Sequence, residues 1–316
     1  MDLARFGLNR RPFRPAPAPD LFFPAAAHAA AADRLRAAFD AGEGVALLDG
    51  GPGTGKTLVA VRLLESLRGA ATAVLIPCAR LVRPADLYQA ILFDLGRPYL
   101  GLGENELRLA VTEYWLGELA AGRRGAVVLD EAHNLGPEVL EEVRFLDNLE
   151  GRGTKAVFTL LVGLPGLRDR LAGLEPLAQR VSCRVRLTPL SHDEAVGFTR
   201  HQLAACGGKE DELLTDEAAG LIAGYGRGVP RVVNQVAAGA LAVALEADQD
   251  AIDVEAVCEA ADRLGLPPAE AEDPAPPANP SGPAESQAGE EGEGGEADEP
   301  RGARGPKQKA RRRRAA

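Results

Sequence analysis

VALLD at 45–49, GGPGTGKT at 50–57 and TLVAVRLLESL at 57–67 run on from one another, and the reading of this stretch decides the fold. Apolar residues ending in an aspartate suit a short buried strand. The octet after them fits G-x-x-x-x-G-K-[ST], and the apolar residues beyond it recur at helical spacing. Strand, glycine loop and helix, in that order, are what a phosphate cradle needs. Glycines let successive N–H groups turn inward around an anion, and a helix N-terminus adds partial positive charge. Gly50, Gly51, Pro52, Gly53, Thr54 and Gly55 are expected to form the cradle, with Leu58 completing the contacts. Lys56 is expected to reach the β- and γ-phosphates, and the Thr57 hydroxyl to ligate magnesium.

VVLDEAH at 127–133 reads as the other half of such a site. An apolar strand there ends in Asp130 and Glu131, and ligands of open α/β sheets bind at the C-terminal strand edge. Asp130 would hold Mg2+ through water, and Glu131 would polarise the attacking water. The alternative for the pair is a solvated acidic cap on the next helix. ATP and Mg2+ are the expected cofactors. His133 is given no catalytic role.

Further β-rich runs are TAVLI at 72–76, AVVLD at 126–130, AVFTLLV at 156–162 and CRVRL at 183–187. Continuous apolar strands alternating with helical patterns predict a parallel sheet covered on both faces. After Thr188 the reading is helical. Ser191 with Glu194 makes a capping box, Thr215 before Asp216 is a second start signal, and Pro230 opens a third helix. A fourth is expected from Val254 to Leu264. The fold class is therefore α/β: a phosphate-loop sheet domain over 41–188, preceded by a Pro-rich segment and helix over 1–40 and followed by an all-α lid over 189–266. Phe13, Phe22 and Phe23 are expected to anchor the first segment to a neighbouring surface. Beyond 267, Pro, Glu, Gly and Ala dominate, so 267–316 is read as a disordered tail.

Bulk composition narrows the classes. Apolar residues make up 46% and aromatics 4%, so aliphatic side chains must fill the core. A formal net charge of −10 argues against a general nucleic-acid binder. Cys78, Cys183, Cys206 and Cys258 are scattered and form neither a zinc pattern nor a small disulfide framework. With no signal-like N-terminus and no long apolar run, a cytoplasmic chain without a transmembrane segment is expected. The tail is acidic and then basic. KQKARRRR at 307–314 could bind nucleic acid, acidic lipid or an acidic protein face, or fold back on its acidic neighbour.

Taken in order, five stretches resemble AAA+ ATPases of the ExeA/GspA type, which are associated with secretion and pilus assembly. They are FGLNRRPFRPAPAPDLFF with His28, the phosphate loop with VVLDEAHNLGPEVLEEVRFLDNLE, LLVGLPGLRDRL, PLAQRVSCRVRLTPLSHDEA and GVPRVVNQVAAGALAVAL. The resemblance spans roughly residues 5–265. It implies an ATPase that works as a homo-oligomeric ring. Arg180 falls where the family places a finger acting on a neighbouring subunit's γ-phosphate, and Arg231 falls at the second sensor. Read as residues alone, Arg180 could instead be a helix-terminal cation and Arg231 a first-turn surface residue. Two departures stand out. Leu164 occupies the first-sensor position, usually glutamine, and cannot orient water; Thr159 is the nearest polar residue on that strand. Longer members continue into a membrane helix and a peptidoglycan-binding region, where this sequence reads instead as a charged tail.

The sequence thus predicts an ATP-hydrolysing protein whose nucleotide-dependent assembly drives or switches a protein complex, with the partner unnamed. The alternatives are a DNA-handling ATPase similar to transposition helpers and an ATP-gated scaffold with little turnover.

Overall fold

The computed structural model describes residues 3–77, 81–151 and 153–267. The expectations for the charged tail and for Cys78 lie outside the described residues. In order, the first part contains α1 (Ala26–Asp40), β1 (Val45–Gly50), α2 (Lys56–Ser66), β2 (Ala71–Pro77), α3 (Pro84–Asp94), α4 (Glu104–Ala120), β3 (Arg124–Asp130), α5 (Pro137–Asp147), β4 (Glu150–Gly151), β5 (Thr154–Lys155), β6 (Val157–Gly163), α6 (Gly166–Ala172), α7 (Glu175–Ala178) and β7 (Val181–Leu187).

The five long strands form one parallel sheet in the order β2-β3-β6-β1-β7, while β4 and β5 pair separately as a small antiparallel hairpin. All five strands expected from the sequence are present. Position explains their composition. β1 and β6 are central, and every residue in them is buried. β7 is an edge strand and alternates buried and exposed residues along VSCRVRL, as a half-solvated strand should. Leu48, Val59, Leu63, Phe158, Leu160 and Val185 pack one face beneath α1 and α2. Leu47, Val127, Leu129, Trp115, Tyr88 and Val143 pack the other against α3, α4 and α5.

A helical cluster follows: α8 (His192–Ala204), α9 (Glu210–Leu213), α10 (Asp216–Gly226), α11 (Pro230–Glu246) and α12 (Val254–Arg263). The capping signals act as read. Ser191 Oγ accepts from the Glu194 amide at 3.1 Å, and Glu194 accepts from the Ser191 amide at 3.0 Å. Thr215 Oγ1 accepts from the Ala218 amide at 3.2 Å. The N-terminal segment joins this cluster. Phe6, Leu8, Phe13 and Leu21 are buried with Phe198, Leu203, Ile222 and Val236, and the Phe23 ring meets Phe198 edge-on at 6.1 Å. Arg5 pairs with Asp248 and Asp250.

Candidate active site

The sheet order places the C-terminal ends of β1, β6 and β3 side by side, and the phosphate loop, Asp130 and Glu131 sit there. Gly53 and Gly55 have φ of +76° and +94°, a region most side chains avoid. The loop is also gripped on two sides. A Cβ on Gly53 would lie 2.9 Å from Cβ of Arg231, and one on Gly55 would lie 3.0 Å from Nε2 of His28. Glycine is therefore required there both by conformation and by close approach.

Lys56 is buried, and its ammonium donates to the carbonyls of Gly50 at 3.0 Å and Gly51 at 2.7 Å. Burial pulls its pKa below the ordinary lysine value; the charges of Glu131 and Asp130 oppose that shift and Arg231 adds to it. Thr57 Oγ1 donates to Asp130 Oδ2 at 2.6 Å, and Asp130 Oδ1 accepts from the Glu131 amide at 2.9 Å. Two hard oxygens so close fit the donor chemistry of magnesium, which takes few protein ligands and completes its shell with water and phosphate.

Glu131 adopts a left-handed backbone conformation, φ 55° and ψ 34°. Such strain in a non-glycine residue persists only where the surroundings impose it. Its side chain is 50% exposed and stands 3.4 Å from Nδ1 of His133.

A cavity of about 310 Å³ lies beside the loop. Pro52, Gly53, Gly55, Lys56, Thr57 and Leu58 line its polar end, together with Glu131, Leu164 and Arg231. Gly50, Gly51 and Thr54 shape the loop from behind: Thr54 Oγ1 donates to the Gly51 carbonyl at 2.9 Å. Arg231 is the second residue of α11, and its amide donates to the Gly53 carbonyl at 3.3 Å, so that helix starts on the phosphate loop. The apolar end is walled by Pro15, Pro17, Leu21 and Phe22 from the N-terminal segment and by Leu190 and Phe198 from the lid. Asn234 also lines it; its Nδ2 donates to the Arg14 carbonyl at 3.5 Å, while its Oδ1 is buried without a partner.

That apolar wall was missed from the sequence, where the phenylalanines signalled anchoring but not what they would enclose. His28 was noticed only as part of a resemblance. It is buried on α1, and Nε2 lies 2.7 Å from the Thr54 carbonyl. Burial lowers its pKa, against the opposing effects of that carbonyl and Glu194. In the neutral ring Nε2 must therefore carry the proton and donate. The sequence marks Asp49 only as the end of a strand and not by its ion pairs. Fully buried at the end of β1, it accepts from Arg186 at 2.9 Å and from Arg168.

Arg180 does not line the cavity. It pairs within the chain with the buried Asp147, Nη1 to Oδ2 at 2.5 Å. Thr159 is far from Leu164: buried in mid-strand opposite Val45 and Val127, with an unpartnered hydroxyl.

Residues 40–171 match a family described as an AAA domain. General secretion pathway protein A of Aeromonas hydrophila is 34% identical over 242 residues, covering 76% of this chain and 44% of that protein. The chain thus spans less than half the length of this relative. Among solved structures, Cdc6p of Pyrobaculum aerophilum matches with a TM-score of 0.65 at 19% identity, over 84% of this chain and 71% of that one. The ORC1 protein of Aeropyrum pernix, in complex with DNA, matches with a TM-score of 0.59 at 20% identity, over 75% and 65%. Likeness at such identity shows the fold alone. No helix among the described residues is long and apolar enough to cross a membrane. With its parallel sheet, phosphate loop and following helices, the chain belongs to the AAA+ ATPases of the general secretion pathway protein A type.

Proposed function

We propose that the protein binds MgATP in this cavity and hydrolyses it, and that nucleotide-dependent self-assembly drives or switches a protein complex of the secretion type in the cytoplasm. The observation that carries this reading is the convergence of Lys56, Thr57, Asp130 and Glu131 at one sheet edge, with Arg231 delivered to the same loop by the lid. In this reading the sheet domain spans 41–188 and the lid 189–266. Lys56 and Arg231 neutralise phosphate charge, Thr57 and Asp130 hold the metal, and Glu131 takes a proton from the attacking water. Bound magnesium would stabilise negative charge on the phosphate oxygens. Arg180 acts on a neighbouring subunit, which requires it to leave Asp147.

The direct test is magnesium-dependent phosphate release by the full chain, with Lys56→Ala as the blank. No release above that blank would reject hydrolysis. Two other readings keep an observation each. The basic run KQKARRRR at 307–314 favours a DNA-handling ATPase, and salt-sensitive, ATP-stimulated duplex binding would support it. Leu164 in the cavity wall favours an ATP-gated scaffold, which would bind ATP tightly and turn it over scarcely at all.

A further inference from the structure

We propose that His133 is the positioning residue for Glu131, holding its carboxylate where it can accept a proton from the attacking water. This rests on the hydrolytic reading above. In that step the water oxygen bonds to the γ-phosphorus, the bond to the bridging oxygen breaks with its electron pair leaving on ADP, and a water proton passes to the Glu131 carboxylate.

A glutamate base has several free torsions and needs a tether. The end of β6 offers none, because the side chain there that lines the cavity is Leu164. Among the described residues, His133 is the side chain that pairs with the Glu131 carboxylate, Nδ1 to Oε2 at 3.4 Å. Nδ1 is buried and has no hydrogen-bond partner in this structure, so its 3.4 Å approach to Glu131 is a close contact and not yet a hydrogen bond. A solvated surface histidine would keep that nitrogen in water. Catalytic hydrogen bonds are often long before substrate binds and tighten with it.

The backbone that carries the ring is well supported. It sits in a short helical turn, Ala132–Asn134, whose first residue is fully buried. Arg170 on α6 donates to the carbonyl of His133 and, at 2.7 Å, to that of Leu135. The His133 backbone is packed against the end of β6, since a Cβ on Gly163 would lie 3.3 Å from its amide nitrogen. His133 thus reaches Glu131 from the corner where the first-sensor side chain is apolar. Either the Nδ1–H tautomer or the imidazolium supplies the donor.

Two substitutions of similar size separate donor from filler. In His133→Asn the amide nitrogen takes the place of Nδ1; His133→Leu keeps the bulk without the donor. Steady-state hydrolysis of MgATP by the full chain, with melting temperatures alongside, should show His133→Leu losing about tenfold or more in kcat with KM changed by less than about twofold. His133→Asn should retain most of the wild-type kcat. Equal kcat in all three proteins overturns the proposal. So does equal loss in both variants, or a loss that follows melting temperature. Wild type no faster than Lys56→Ala would reject the hydrolytic reading itself, and this inference with it. ATP affinity measured by calorimetry should be the same in all three; loss of binding in His133→Leu would show that the ring supports the pocket and not the base.

Discussion

Single residues carry the chemistry, and each can be removed separately. Lys56→Ala should abolish most ATP affinity by calorimetry, because it deletes the ammonium bound into the loop. Glu131→Gln should bind ATP normally yet lose roughly 10²-fold or more in hydrolysis, since an amide cannot accept the water proton. Asp130→Asn should instead raise the magnesium concentration needed for half-maximal activity. His28 makes a pH prediction. Its folded pKa lies below the ordinary 6.5 because of burial, so below about 6.5 the unfolded chain takes up a proton that the folded chain refuses. This group's contribution to stability is therefore present above that pH and lost as pH falls. His28→Gln keeps a donor for the Thr54 carbonyl, and its melting temperature should fall less between pH 7.5 and 5.5 than that of wild type. The phosphate-loop residues were legible because the chemistry constrains type and spacing together. His28 and Asp49 were not, because each acts through a contact between distant parts of the chain that no local pattern records; His133 stands two residues from Glu131, but spacing alone does not show that its ring turns back toward that carboxylate.

At the scale of elements, α8 is tied to the start of α1 by a hydrogen bond. Glu194 serves two helices: its Oε2 accepts from the Ser191 amide at 3.0 Å, and its Oε1 accepts from the Ala26 amide at the start of α1, also at 3.0 Å. Ser191→Ala removes one cap and should cost about 1 kcal/mol. Glu194→Ala strips amides at both helix starts and should lower the melting temperature further; equal drops would show that the α1 contact contributes nothing. β1, β3 and β6 were read almost to the residue because burial on both faces demands unbroken apolar runs. The β4–β5 hairpin, at two residues per strand, is too short for any periodicity. The Pro-rich segment gave no regular signal, since its position depends on apolar anchors spread over long range and not on local conformation.

For the whole molecule, the Arg180–Asp147 pair bears on assembly. If Arg180 serves a neighbouring phosphate, activity per chain should rise with protein concentration as subunits meet, because such fingers contribute about 10³–10⁵ in rate in other phosphate-loop enzymes. Arg180→Ala should bind ATP and hydrolyse it poorly, and mixing it with Lys56→Ala should restore part of the activity. Light-scattering mass read beside ATPase rate decides the matter: a monomer with concentration-independent activity rules out a finger in trans.

The packing of Phe6, Leu8 and Phe13 among helices that begin only after residue 190 also has a consequence for synthesis. These side chains leave the ribosome well before their partners, which lie in helices made only after residue 190. At about 5–20 residues per second, the leading segment waits roughly 10–50 s with its apolar surface uncovered. The sheet between can close meanwhile, but the nucleotide cavity cannot, since its apolar wall needs both ends of the folded chain. A nascent chain stalled before the lid should therefore be a chaperone client with no purchase on ATP, and the capacity to bind nucleotide should arrive late and all at once.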